Sequence, residues 1–171
     1  MTTKPEKPLS PSPANPYAGR PLEPVESIVV HTNITEEPLE PLLADAKGAT
    51  MTRAMGALVV FDGIVRDHDH GQAVSALSYT SHPLATDAIA TVARSVADEI
   101  PGIRIWAVHR VGPIPIGESA LTVLVAAAHR GTAFTACERL ADRIKAEVPI
   151  WKEQELTSGA VQWVGIDTPA Q

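Results

Sequence analysis

Cysteine is nearly absent from this sequence, and the only thiol belongs to Cys137. A single thiol excludes both an internal disulfide and a cysteine-rich metal site. Cys137 lies in helical phase with Phe134, Leu140 and Ala141, so we predict that it is a small buried apolar residue. A nucleophilic cysteine is the alternative interpretation, and the local pattern does not favour it.

Long apolar runs are lacking as well. No stretch approaches the roughly 20 apolar residues that are needed to span a bilayer. The first eight residues, MTTKPEKP, lack the apolar segment of a secretory signal peptide. We therefore expect a cytoplasmic protein that does not insert into a membrane.

Positive charge is scarce, with 14 lysines and arginines against 20 aspartates and glutamates and a net charge of −6. Binding to a nucleic-acid backbone requires a basic surface, so this balance excludes a general nucleic-acid binder. A small anionic ligand is still compatible with it, because such a ligand needs only a local basic pocket.

The zinc-binding pattern HExxH does not occur among the six histidines. His68 and His70 alternate with Asp67 and Asp69, which is a weak resemblance to a metal cluster. No further set of ligands with zinc spacing is visible, so a polar turn is the better interpretation. We predict no metal site.

Residues 1–24 hold seven of the fifteen prolines, interspersed with serine, alanine and asparagine. Such a composition buries too little apolar surface to offset the entropy cost of ordering, so we predict a disordered tail. A proline-rich docking peptide is the alternative. Residues 25–171 are then expected to form one folded domain.

Hydrophobic periodicity within that domain predicts an α+β fold, with a mostly antiparallel sheet and two main helices. The main helices are expected over residues 83–100 and 132–147, where Pro101 and Pro149 end them. A weak helix over 36–46 is followed by a linker over 48–55. Strands are predicted over 27–33, 57–61, 74–80, 103–111, 120–127 and 161–166.

Arg66 follows the end of a predicted strand, where loops often present charged groups. Its rigid guanidinium can donate two hydrogen bonds to a phosphate at once. The alternative is a surface arginine that pairs with Asp67 or Asp69, and the residues alone leave both interpretations open.

His129 and Arg130 lie between an apolar strand and the start of the second main helix. Free backbone N–H groups at a helix start attract anions, and these two side chains would reinforce that attraction. The alternative is an ordinary capped helix start with solvated polar side chains.

Lys145 and Lys152 lie on either side of Pro149, where a helix ends and a turn is expected. A lysine serves as an acid, base or nucleophile when burial or a nearby cation lowers its pKa. Two solvated lysines near a helix C-terminus, which the helix dipole favours, are the alternative.

Taken together, these clusters resemble the MoaE family, the large catalytic subunits of molybdopterin synthase. The string GALVVFDGIVRDHDHGQAVSALSYTSHP is similar to the opening of that family's domain. The segments HRVGPIPIGE, AHR and KAEVPIWKE follow in the family's order and spacing. The resemblance covers roughly residues 56–164.

The resemblance implies an α/β-hammerhead type of fold and a sulfur transfer that needs no cofactor. The substrate is implied to be cyclic pyranopterin monophosphate, and the sulfur arrives as a thiocarboxylate on the C-terminal Gly-Gly of a small ubiquitin-like carrier subunit. Lys145 and Lys152 match the family's catalytic lysines. The residues that match its substrate-binding segments are Ile64, Val65, Arg66, His129, Arg130, Glu153 and Gln154.

Two other functions remain open at this point. A diverged copy could dock the carrier without performing chemistry, although retention of both lysines, Arg66, His129 and Arg130 argues against it. A different enzyme acting on a phosphate ligand is the other, and Lys152 in its PIWKE setting argues against that one.

We also expect a homodimer that carries one small subunit on each distal side, which makes a heterotetramer. Part of this expectation comes from the resemblance. The rest comes from residues 103–111 and 120–127, which are apolar enough to be covered on both faces, whereas two helices cover little more than one face of a sheet. A symmetric partner would supply the missing cover.

Overall fold

The computed structural model describes residues 14–164 and contains two sheets and three helices. A single 3₁₀ turn, Glu40–Leu42, precedes the first helix. In chain order the elements are β1 (Ile28–Thr35), α1 (Leu43–Thr50), β2 (Ala57–Ile64), β3 (His68–Asp69), β4 (Gln72–Ser81), α2 (Ala85–Glu99), β5 (Ile103–Arg110), β6 (Gly112–Pro113), β7 (Ser119–Ala127), α3 (Arg130–Glu147), β8 (Ile150–Leu156) and β9 (Val161–Val164).

The core sheet consists of four strands in the order β1, β5, β7, β2. Only the β1–β5 pair is parallel, and the other two pairs are antiparallel. The outer sheet runs β3, β4, β8, β9, with β6 pairing to β4, and all of its pairs are antiparallel. The predicted α+β class with mostly antiparallel pairing is confirmed.

Helices α2 and α3 pack on one face of the core sheet. The apolar residues of α2 recur every three to four positions, so Ile89, Val92 and Val96 lie on one buried face. They pack against β5 residues such as Ile105. The helix ends at Glu99 because Pro101 follows and Ile100 adopts an extended conformation.

The opposite face of the core sheet is covered by the segment that leads into α1. Leu39 and Ala46 pack there against Trp106 and Leu124. All nine residues of β7 are consequently buried within a single chain. The expectation that a second protomer must cover this face was wrong, because the segment predicted as a weak helix over 36–46 supplies the cover.

Two further expectations need correction. Phe134 was placed in the apolar stripe of α3, but its side chain is 62% exposed, whereas Cys137, Leu140 and Ile144 are buried as that stripe requires. The segment after Pro149 was expected to be a turn. It forms β8, which pairs with β4 on one side and β9 on the other.

The ends of the chain bear on the predicted tail. Residues 1–13 and 165–171 lie outside the described residues, and with them part of the tail and the last two residues of the predicted strand over 161–166. Residues 14–24 form turns and exposed segments without strand or helix. They touch the domain through Arg53, which forms an ion pair with Glu23 at 3.1 Å and donates a hydrogen bond to the Pro21 carbonyl.

Candidate active site

A cavity of about 470 Å³ lies between one end of the core sheet and the outer sheet. A small apolar cluster of Val65, Leu77, Ile114 and Ala120 joins the two sheets beside it. The charged or titratable side chains that line the cavity come from five different parts of the chain, and they are Arg66, His68, Asp69, Tyr79, His109, Lys145 and Lys152.

Lys152 reaches the cavity because β8 is a strand. Side chains alternate across a strand, so Lys152 and Gln154 face the cavity together. Glu153, which lies between them, is not part of the lining. The prediction for Gln154 thus gains a structural basis, whereas Glu153 is placed away from the site.

Asp69 holds Lys152 in place. Its Oδ2 atom accepts a hydrogen bond from Lys152 Nζ at 2.5 Å, and its Oδ1 atom lies 3.7 Å from the guanidinium of Arg66. The hydrogen bond from Lys152 is the main reason that the pKa of Asp69 lies below its usual value. The Asp69 side chain is only 12% exposed, so this is a sheltered ion pair.

Lys145 lies in the last turn of α3, where Pro149 is about to end the helix. Its ammonium group is 5.7 Å from the centre of the Phe61 ring on β2, which is a cation–π contact. Within residues 14–164 no carboxylate lies within ion-pair distance of Lys145. The two lysines therefore differ in setting, since one is neutralised by a carboxylate and the other rests on an aromatic face.

His109 is a buried imidazole at the end of β5. Its Nδ1–H donates to the Arg110 carbonyl at 2.7 Å, which leaves Nε2 as an acceptor, and the Tyr79 ring packs edge-on against it at 5.1 Å. Burial is the main cause that lowers the pKa of His109 to about 4. The nearby positive charge of Lys145 lowers this pKa further, so His109 is neutral at physiological pH.

The segment after β2 supplies three predicted residues. Ile64, Val65 and Arg66 all line the cavity, where Val65 is buried and the Arg66 side chain is 65% exposed. The Val65 backbone N–H donates to the Glu118 carbonyl, which ties this segment to the loop before β7. Arg66 is thus presented from an anchored backbone.

His129 and Arg130 are not brought into this cavity within one chain. His129 is the residue before α3 and Arg130 begins it, whereas Lys145 lies fifteen residues further along the same helix. At about 1.5 Å per residue, that spacing corresponds to roughly 22 Å along the helix axis.

Four titratable side chains of the cavity were not predicted as site residues, namely His68, Asp69, Tyr79 and His109. Asp69 was assigned to a polar turn, and Tyr79 was read only as part of a strand. His109 is the first residue of the segment HRVGPIPIGE, so the resemblance had pointed to it without a role. These residues are visible in the sequence, but their position in the cavity depends on which strands pair in the folded protein.

The lining is arranged for an anionic organic ligand. Arg66, Lys145 and Lys152 supply positive charge, while Leu77, Val74 and Ala120 supply apolar surface. Across the described residues, no group of three or more His, Cys, Asp or Glu side chains is placed to hold a metal ion. None of the helices described is long and apolar enough to cross a membrane.

Comparison with known proteins shows the family of this chain. Residues 34–147 match the family model described as MoaE protein. The chain is 38% identical over 135 residues to a molybdopterin synthase catalytic subunit from Aspergillus clavatus, covering 78% of this chain and 67% of that protein. It is 33% identical over 143 residues to molybdopterin synthase catalytic subunit 1 from Mycobacterium tuberculosis, covering 82% and 94% of the two chains.

A solved structure supports the same relationship. The crystal structure of molybdopterin synthase from Staphylococcus aureus superposes with a TM-score of 0.70 at 30% identity. The superposition covers 84% of this chain and 99% of that one.

Proposed function

The chain belongs to the MoaE protein family, and we propose that it is a catalytic subunit that transfers sulfur to cyclic pyranopterin monophosphate. The sulfur donor in this proposal is the C-terminal thiocarboxylate of a small ubiquitin-like carrier subunit. The observation that carries the proposal is the convergence of Arg66, Lys145 and Lys152 on one cavity of about 470 Å³. Two anionic groups, a phosphate and a thiocarboxylate, must meet in this reaction, and the three cations offset their mutual repulsion.

The different settings of the two lysines support different roles. Lys152 is held by a hydrogen bond to the Asp69 carboxylate, and a lysine held in one orientation is suited to bind and orient the substrate. Lys145 has no carboxylate partner in the described part of the chain and rests on the Phe61 ring. It is the better candidate to exchange a proton with the reacting groups or to contact the incoming carrier terminus.

His109 adds a neutral acceptor to the site. Because Nδ1 is committed to the Arg110 carbonyl, Nε2 carries a lone pair in a buried position beside the cavity. A neutral imidazole there accepts a hydrogen bond from a substrate N–H or O–H without adding a charge. It thus complements the cations, which only donate.

The carrier is expected to reach the cavity with an extended tail. Glycines at the end of that tail have no side chains, so their backbone can approach the cavity lining closely. Main-chain hydrogen bonds would hold the tail, and the cations would receive its terminal charge.

His129 and Arg130 can contribute to substrate binding only in the cavity of a second protomer. They lie at the far end of α3 from Lys145, so their own chain cannot deliver them to the phosphate near Lys152. In a homodimer with twofold symmetry, each protomer can lend its helix start to the cavity of the other. The proposed assembly is therefore a homodimer with two carriers, in which the sites are shared.

The proposal is tested by reconstitution. Purified chain, thiocarboxylated carrier and cyclic pyranopterin monophosphate should form the dithiolene product, and Lys145→Ala should not. Lys47→Ala, an exposed lysine on α1, is the matched control and should behave as the wild type. If the wild type binds the carrier but forms no product, the chain is a docking module and the enzymatic proposal is wrong.

Sharing of sites is tested by mixing two inactive variants. When Lys145→Ala and Arg130→Ala chains form mixed dimers, one of the two sites regains both residues if Arg130 comes from the partner. Random mixing then restores about a quarter of wild-type activity. Absence of any recovery, with mixed dimers verified by mass spectrometry, would show that Arg130 does not act across the dimer.

A further inference from the structure

One side chain in the cavity has the wrong charge for an anion site. Asp69 is a carboxylate among cations, and it takes the hydrogen bond of Lys152 that an anionic ligand would need. An unpaired carboxylate at this point would repel such a ligand. Its presence therefore calls for a physical explanation.

The backbone fixes the position of Asp69. It closes the tight hairpin between β3 and β4, in which Asp69 is paired with Gln72. The two turn residues, His70 and Gly71, have φ values of 45° and 79°, as a two-residue hairpin turn requires. The Val74 N–H also donates to the Asp67 carbonyl at 2.8 Å, so the carboxylate is carried by a short, well-tied ribbon.

Basic side chains from three segments of the chain surround Asp69. Lys152 comes from β8 at 2.5 Å, Arg66 from the segment after β2 at 3.7 Å, and His70 from the hairpin itself at 3.7 Å. Tyr79 on β4 is the other titratable group close enough to sense this charge. The depressed pKa of Asp69 means that its carboxylate stays ionised at every pH at which the protein is expected to work.

We propose that Asp69 is a positioning residue, a resident counter-anion that holds Lys152 in the empty cavity and releases it to the anionic group of the ligand. Asp69 and the ligand then compete for the same ammonium group. Asp69 lowers the affinity of the cavity for anions, but it also keeps the flexible Lys152 side chain in one orientation. The inference rests on the proposed function only in taking the natural ligand to be anionic.

The first test is the binding of inorganic phosphate. Asp69→Asn keeps the shape of the side chain and removes its charge, so phosphate should bind about five- to tenfold more tightly than to the wild type. Asp67→Asn is the matched control, because it removes the same formal charge from the same hairpin. Its side chain is 75% exposed and pairs with His68, and unlike Asp69 it is not part of the cavity lining.

The control should leave phosphate affinity within about twofold of the wild type, since surface charges are screened. The proposal is overturned if Asp69→Asn binds phosphate no better than the wild type, including the case in which neither protein binds it. It is also overturned if both variants gain affinity equally, since the effect would then be one of net charge.

The second test observes the exchange itself. Carbon-13 NMR of the Asp69 carboxylate should show a depressed pKa in the free protein. Saturating phosphate should raise that pKa, because Lys152 moves to the new anion, and Lys152→Gln should raise it without phosphate. A carboxylate whose titration is unaffected by phosphate remains paired with Lys152 and contradicts the proposal.

A kinetic readout separates positioning from a merely structural role. With the complete enzyme, Asp69→Asn should lower the KM for the pterin phosphate and also lower kcat, because Lys152 binds anions better but is less well oriented. A variant that only damaged the fold would lose kcat without gaining affinity. The phosphate-binding and NMR experiments do not require turnover. A failed sulfur-transfer assay would therefore refute the proposed function, whereas the role of Asp69 would still be decided by these two experiments.

Discussion

The two sheets of this protein differ in what they bury. In the core sheet every residue of β7 is buried, and so are all but one of β5. In the outer sheet β9 is fully exposed, and β8 buries only Gln154 and Leu156. The core sheet thus provides most of the apolar stabilisation, whereas the outer sheet holds Asp69 and Lys152 at the cavity.

The residues that stabilise the fold and the charged residues that line the cavity therefore lie largely in different parts of the molecule. Burying a charged group costs free energy unless it is paired, so a core made of apolar side chains is a poor place for lysines. In the outer sheet, Lys152 is paired with the Asp69 carboxylate. Helix α3 connects the two regions, because its middle packs on the core sheet while Lys145, in its last turn, faces the cavity.

The largest effect on chemistry with the least effect on stability is expected for Lys145→Ala. Turnover in the reconstituted assay should fall at least about 100-fold, which is the lower range for the loss of an acid–base group. The melting temperature should stay within about 2 °C of the wild type, since a helix end loses little on truncation to alanine. Near-normal turnover would refute the role given to this lysine.

The opposite result is expected for Ile105→Ala in the core sheet. Ile105 is fully buried between the sheet and its helices, so the free energy of unfolding should drop by about 2–5 kcal/mol in urea denaturation. Activity per folded molecule should be retained. Val60→Ala, on the more exposed edge strand of the same sheet, is the control and should cost far less. Equal losses for the two variants would contradict the assignment of the core.

His109 lies between the core sheet and the outer sheet, and its contribution to the stability of the fold should depend on pH. Its folded pKa of about 4 is below the ordinary 6.5, so between these values the unfolded chain binds more protons than the folded one. The contribution of His109 to the free energy of unfolding is fully present above about pH 6.5 and is lost progressively as the pH falls to about 4. The loss is on the order of 3 kcal/mol.

His109→Asn should remove this dependence while keeping an N–H near the position of Nδ1. The measurement is urea denaturation of both proteins at several pH values between 4 and 7. The wild-type curve should slope more steeply than that of the variant. Parallel curves would show that the imidazole is not buried in its neutral form.

The smallest effect is expected from deleting residues 1–24, which belong to neither sheet. Among the described residues of this segment, the contacts with Arg53 are exposed, and surface ion pairs contribute about 0–1 kcal/mol. Activity and melting temperature should be nearly unaltered. A large loss in either would mean that the segment docks on the domain and that the predicted boundary near residue 24 is misplaced.

Much of the fold was predictable because it rests on local patterns. The apolar spacing of 83–100 and 132–147 predicted α2 and α3, and the continuous apolar run of 120–127 predicted β7. The mixed polar segment after Pro149 has no comparable pattern. It is a strand because β4 and β9 bond to its backbone on both sides, and such pairing is decided by distant residues.

The candidate site also has features that local sequence predicts and features that depend on the fold. The amino-acid sequence alone is enough to show which residues carry charge, which helices and strands precede them, and that Arg66, Lys145 and Lys152 match one family pattern. That Asp69 pairs with Lys152 across 83 residues of chain, and that His109 is buried and neutral, could be learned only from the folded structure. The physical reason is that charge and periodicity are properties of neighbouring residues, whereas distance, burial and dielectric surroundings depend on segments that only folding brings together.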